Sequence, residues 1–158
     1  LRSIASAYEP IHVYLSIFLC FFGSTTNLCT VIVMLRKQMR SPVNVLLMAM
    51  AVCNTIVLLT NLFYLIHFSS EFAACTPSYW SWGWSFYVIA YAIIALTGHT
   101  SAVWISAVMA LFRYLTLRSR GKGSSIVQIT MKNSIVAILI VILIVSILNV
   151  PNMICYEV

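Results

Sequence analysis

The stretch WSFYVIAYAIIALTGHTSAVWISAVMALFRYLTL, Trp84 to Leu117, runs for 34 residues and carries one permanently charged side chain, Arg113. As a helix it measures about 51 Å at 1.5 Å per residue. The hydrocarbon core of a bilayer is roughly 30 Å thick, so such a helix must tilt or extend beyond the membrane. Hydrocarbon solvates a guanidinium poorly. Arg113 must therefore face water at a membrane surface or find a partner inside a bundle.

Three further apolar stretches reach spanning length: about Ile11 to Leu35, Val43 to Phe68, and Ile126 to Val150. The chain of 158 residues is 62% hydrophobic and 8% charged, far from the composition of a soluble domain. The composition predicts an all-α membrane protein with four transmembrane helices. Span four is almost entirely Val, Ile and Leu from Ile135 to Leu148, which suits a lipid-facing helix. Span three carries Ser, Thr, Gly and His on successive turns, which suits the middle of a bundle.

Charge fixes the expected orientation. Arg36, Lys37 and Arg40 lie between spans one and two. Arg113, Arg118, Arg120, Lys122 and Lys132 lie between spans three and four or at their edges, so eight of the nine basic residues share one side. Glu9, Glu71 and Glu157, the only acids, fall on the other. Basic residues concentrate in cytoplasmic loops, so the N-terminus is expected outside, in the plasma membrane. The net charge of +6 then reports topology and requires no nucleic acid.

Punctuation supports the same layout. Pro10 is expected before span one, Pro42 in the first turn of span two, Pro77 in the outer loop, and Pro151 at the close of span four. The short segment from Arg36 to Ser41 forces an antiparallel hairpin. Ser119 to Ser125 is Gly/Ser-rich and reads as a flexible connection. The chain opens on Leu1, and its first apolar run is too long for a signal peptide and is followed, not preceded, by basic residues. It reads as part of a longer protein.

Several polar residues need an explanation inside these spans. His99 and Arg113 are fourteen residues apart, which returns a helix to within about 40° of its starting direction, so they share a face through Met109, Ser106 and Ala102. His99 is either a bundle histidine bonded to a neighbour or the floor of a ligand pocket. Asn27 and Asn54 lie near the membrane centre and should point inward, as interhelical hydrogen-bonding groups or as part of a water or ion network. Tyr79, Trp80, Trp82, Trp84, Phe86, Tyr87 and Tyr91 face Tyr64, His67 and Phe68 on the outer side. They form either an interfacial aromatic belt or a recognition surface for an extracellular ligand.

Cys20, Cys29 and Cys53 fall within spans and are expected to be packed thiols, whereas Cys75 and Cys155 fall in outer loops, where a disulfide between them could form. There is no Asp, no Cys-x-x-Cys and no close His pair. A metal centre, a cofactor site or a catalytic triad has no material here, so an enzyme is not expected.

Taken together, these residues resemble the rhodopsin-like G-protein-coupled receptors. Asn27 matches the asparagine that marks their first helix. Arg36-Lys37-Gln38-Met39-Arg40-Ser41-Pro42-Val43-Asn44 looks like the first intracellular loop of a peptide-receptor branch, and Phe112-Arg113-Tyr114 stands in place of their Asp-Arg-Tyr motif. With His99-Thr100 and Trp104 in span three, the pattern is most similar to nematode class-W serpentine receptors and to myosuppressin or FMRFamide-like neuropeptide receptors.

The resemblance implies the first four transmembrane helices of a seven-helix receptor bundle. It also implies an extracellular peptide ligand and a heterotrimeric G protein as partners. Arg113, with Phe112 and Tyr114, would hold the inner ends of the helices closed and then contact the G protein. Tyr64, His67, Tyr91 and His99, in the outer halves of spans two and three, are the candidate ligand-pocket residues. Four positions depart from the family pattern. Asn54 replaces an aspartate that takes part in sodium binding, so ion binding there should be weak. Ala95 replaces the acid of amine receptors, which argues against a monoamine. Phe112 removes the acid beside the arginine, and Val88 replaces the usual disulfide cysteine, which moves that bridge to Cys75. Four helices alone should not signal. The competing expectation is a four-helix membrane scaffold or interaction protein, which fits badly because the loop between spans two and three is short.

Overall fold

The structure, a computed structural model, describes residues 2–68, 81–121 and 129–154. It is built of four long helices: α1 (Arg2–Met34), α2 (Pro42–Phe68), α3 (Trp82–Gly121) and α4 (Met131–Ile154). All four are long and apolar enough to cross a membrane. This is an all-α architecture, with no strand among the described residues.

Helix boundaries follow local chemistry and differ from the sequence reading at several ends. α2 opens on Ser41-Pro42. The Ser41 hydroxyl accepts the Asn44 backbone N–H at 3.2 Å, and Pro42 occupies the first helical position, where no N–H is needed. The Asn44 side chain donates to the Met39 carbonyl at 2.6 Å, tying the helix start to the single 3₁₀ turn, Lys37–Met39, that joins α1 to α2. α4 starts at Met131 rather than near Ile126 because Thr130 caps it. The Thr130 hydroxyl donates to Asn133 Oδ1 at 2.9 Å and accepts the Asn133 N–H at 3.4 Å, a reciprocal arrangement like a capping box.

Two prolines behave otherwise than expected. α1 begins at Arg2 and runs through Pro10, and α4 continues past Pro151 to Ile154. An interior proline removes one backbone hydrogen bond and crowds the carbonyl four residues earlier, a local cost that bends a helix without having to end it. α3 likewise extends to Gly121, taking Ser119 and Arg120 from the segment expected to be a flexible connection. At 40 residues it is about 60 Å long.

Helices consecutive in the chain run antiparallel, and polar contacts join each such pair. Cys20 of α1 meets Asn61 of α2, Thr60 of α2 meets Tyr87 of α3, and Thr97 of α3 meets Asn149 of α4. α2 is the hub. It packs on α1, α3 and α4, while α1 packs chiefly on α2 and α4 on α2 and α3. Among these four helices it is α2, rather than α3, that packs on all the others. One face of α3, with Val103, Trp104, Leu111 and Tyr114, is open.

The core is small and made at the helix crossings. Leu46 and Ala51 of α2, Ala102 and Ile105 of α3, Val145 of α4 and Cys20 of α1 are its buried apolar members. On α4 the buried stripe runs through Ser134, Val145 and Asn149, while Leu139, Leu143, Ile147 and Leu148 are exposed on the other side. That division suits a helix with one face to its neighbours and the other to lipid. Glycine sets the closest approaches: an added Cβ at Gly98 would stand 2.5 Å from Val57 of α2, and one at Gly23 2.9 Å from Leu58. Small residues at such crossings let backbones approach where lipid offers no hydrophobic drive.

Candidate functional site: the two ends of the bundle

Polar side chains within the helices are satisfied mostly by their own helix. Ser24, Thr25, Thr26 and Thr30 each donate to a carbonyl three or four residues earlier, as do Thr55 and Thr60 of α2. Asn27 does the same, its Nδ2 reaching the Gly23 carbonyl at 2.8 Å. The interhelical bond expected of Asn27 and Asn54 is not found among the described residues. A back-bond is available within any helix, whereas a cross-helix amide needs a partner at matching depth. Asn54 is half-buried.

The polar contacts that do cross between helices gather toward one end. Asn61 of α2 donates from Nδ2 to Cys20 Sγ of α1 at 3.2 Å and accepts the Tyr91 hydroxyl of α3 on Oδ1 at 2.8 Å. One turn away, the Tyr87 hydroxyl donates to the Thr60 carbonyl at 2.6 Å. Tyr64 and Tyr91 stack with ring centroids 4.8 Å apart and planes at 11°. His67 stacks on Trp84 at 3.4 Å, and Trp84 meets Tyr87 edge to face at 5.6 Å. The result is a continuous aromatic and polar assembly from α1 to α3.

Of the four expected pocket residues, the structure brings Tyr64, His67 and Tyr91 into this assembly. His99 lies two turns further along α3, is exposed on its open side, and makes none of these ring contacts. Asn61 is the residue the sequence reading missed. Its signal was available: Asn61 follows Asn54 by seven residues and precedes Tyr64 by three, spacings that keep all three on one helical face.

The opposite end is basic. Arg36, Lys37, Arg40 and Arg113 are exposed there, and Arg118 Nη1 donates to the Tyr114 hydroxyl at 3.4 Å. Phe112 is half-buried and Tyr114 exposed. Glu9, the only acid within a described helix, lies near the far end of α1, so Arg113 has no acidic partner among the described residues. Its guanidinium is open on the face of α3 that the other three helices leave uncovered.

The cysteines divide less simply than expected. Cys20 is buried and Cys53 half-buried, but Cys29 is exposed on α1, so it is not a packed thiol in this arrangement. α1 has one main neighbour, and Cys29 does not face it. Cys75 and Cys155 lie outside the described residues. Among the described residues, no cluster of His, Cys, Asp or Glu is placed to hold a metal ion.

Four spanning helices with one basic and one aromatic end define a multi-pass membrane protein. The chain belongs to the serpentine type seven-transmembrane G-protein-coupled chemoreceptors of class Srw, whose sequence profile matches residues 14–158. It is 45% identical over 157 residues to the G-protein coupled receptor dmsr-1 of Caenorhabditis elegans, covering 99% of this chain and 31% of that receptor. It is 27% identical over 109 residues to the sex peptide receptor of Drosophila melanogaster, covering 67% of this chain and 24% of that one. The chain thus spans about a third or less of the length of these relatives. No solved structure matches it. Family membership decides between the two readings of the sequence, in favour of the receptor and against the four-helix scaffold.

Proposed function

We propose that these residues form the first four helices of a plasma-membrane receptor that senses an extracellular peptide and signals through a heterotrimeric G protein. The observation that carries the ligand reading is the assembly of Tyr64, Tyr91, His67 and Trp84, stacked between α2 and α3 at the end remote from the basic residues. Stacked rings with polar edges offer apolar area and hydrogen-bonding tips together, the chemistry that peptide side chains and backbone require. The Drosophila relative, a sex peptide receptor by name, agrees with this reading.

Orientation follows from charge. The basic end faces the cytoplasm and the N-terminus is extracellular. Arg113, flanked by Phe112 and Tyr114, is then the cytoplasmic cation available to a G protein. Phe112 supplies no carboxylate, so the arginine is free of the local ion pair that an acid at that position would form. His99 completes the pocket from the open side of α3, where further helices of the receptor would close it.

The test uses the full-length receptor carrying these 158 residues, expressed with an epitope tag at its N-terminus. A synthetic neuropeptide library is screened by resonance-energy transfer between G-protein subunits. The expected result is one or more potent peptides, with potency lowered at least about tenfold by Tyr64→Ala or Tyr91→Ala at unchanged surface level. Wild-type potency in alanine variants at Tyr64, His67, Tyr91 and His99 would refute the pocket. A full response from Arg113→Ala would refute the coupling role.

A further inference from the structure

The Asn61 side chain hydrogen-bonds two other helices at once, α1 through Cys20 and α3 through Tyr91. Its Nδ2 donor is occupied by a thiol that is 3% exposed, which fixes which way the carboxamide points. Its oxygen is thereby presented to the Tyr91 hydroxyl. Tyr91 is then held to α2 at two places, at the hydroxyl by Asn61 and across the ring face by Tyr64, three residues further along the same helix. Tyr87, one turn earlier on α3, adds a second phenol-to-α2 bond and keeps this part of α3 in register.

We infer that Asn61 is a positioning residue of the ligand pocket, which acts through Tyr91 by holding its ring flat against Tyr64. This rests on the pocket reading given above. Breaking the bond from either side leaves the Tyr91 ring held to α2 by the Tyr64 stack alone, and when the amide is the side removed, the hydroxyl also turns toward another acceptor because leaving it unpaired in a low-dielectric region is costly. Turning the phenol moves the ring off Tyr64. Cys20 sets the amide and never meets the ligand, so the device reaches from α1 to a pocket built by α2 and α3.

A role in stability alone and a positioning role make different predictions. Simple interhelical glue would lower the amount of folded receptor and leave potency unchanged in what reaches the surface. Positioning through Tyr91 lowers potency, and lowers it once only, because Asn61 and the Tyr91 hydroxyl form a single unit.

The experiment is a double-mutant cycle in the full-length receptor, with the most potent synthetic peptide found on the wild type as the probe. The variants are Asn61→Leu, Tyr91→Phe, their combination, Tyr64→Ala and Tyr91→Ala, each normalised to surface level. Asn61→Leu and Tyr91→Phe should each raise the half-maximal concentration by about tenfold, the worth of one buried hydrogen bond. The combination should be no worse than the poorer single variant, and maximal response should be unchanged. Wild-type potency in Tyr91→Phe, or losses that multiply to about a hundredfold, would overturn the inference. If Tyr64→Ala and Tyr91→Ala also retain potency, the pocket reading falls and takes the positioning role with it. If those two lose potency while Asn61→Leu and Tyr91→Phe do not, only the positioning role falls. Should Asn61→Leu fail to reach the surface, Asn61→Ser replaces it in the cycle, and Tyr91→Phe, which keeps the ring, decides the outcome in either case.

Discussion

Replacing Gly98 with alanine should force α2 and α3 apart. The new Cβ would stand 2.5 Å from Val57 Cγ2, with the Cys53 carbonyl oxygen 3.8 Å away. Carbon atoms settle near 3.5–4.0 Å, so a displacement of at least about 1 Å is needed. Val57 cannot yield easily, because a β-branched side chain on a helix has one favoured χ1. Overpacking of this kind costs about 1–3 kcal/mol. With the contact about 1 Å too short, the cost falls in the upper part of that range, about 2–3 kcal/mol, and alanine returns about 1 kcal/mol of helix propensity, leaving a net loss of about 1–2 kcal/mol. Gly23→Ala is the informative contrast: its Cβ would meet Leu58 Cδ1 at 2.9 Å, the far end of a flexible side chain, so its loss should be smaller. Gly83→Ala has nothing within 4 Å and should be neutral or slightly stabilising. The assay is the apparent unfolding midpoint of the full-length receptor in detergent, followed by tryptophan fluorescence. Gly98→Ala should lower it by about 2–8 °C, and adding Val57→Ala should recover most of the loss by removing the opposing methyl group. A Gly98→Ala receptor as stable as the wild type, or a double variant no better than the single one, would refute this account of the α2–α3 crossing.

Two further outcomes follow from the helix ends and the core. Ser134 is fully buried and its hydroxyl has no hydrogen-bond partner among the described residues, so Ser134→Ala should be neutral or stabilising by up to about 1 kcal/mol; a clear fall in the same unfolding midpoint would refute this. Thr130→Ala removes the reciprocal cap of α4 and should cost about 1 kcal/mol, seen as faster amide exchange confined to the first turn after Met131; unchanged exchange there would refute the capping role.

The four spans were legible because crossing a bilayer demands length and apolarity, and both are written directly in the chain. Their ends were less so. Pro10 and Pro151 were read as boundaries, yet α1 and α4 run through them, because in an apolar helix one missing N–H is a local cost. The start of α4 was missed because its cap, Thr130 with Asn133, lacks the Glu or Gln that usually marks one. At the candidate site, Tyr64 and Tyr91 could be named from depth alone. Their stacking could not, since it depends on the relative rotation of two helices. Asn61 was passed over because an asparagine in an apolar run reads equally well as internal glue, and only the depths of Cys20 and Tyr91 show what it joins.

The position of α2 as hub has a consequence for how sequence can vary along this chain. A substitution on the outer face of α1 or α4 is answered by nothing else among these helices. A substitution on α2 at Leu46, Asn61 or Val57 meets a neighbouring helix, and a change there must be matched by a compensating change elsewhere or be lost. Divergence between relatives should therefore accumulate on α1 and α4, while α2 changes in step with its partners.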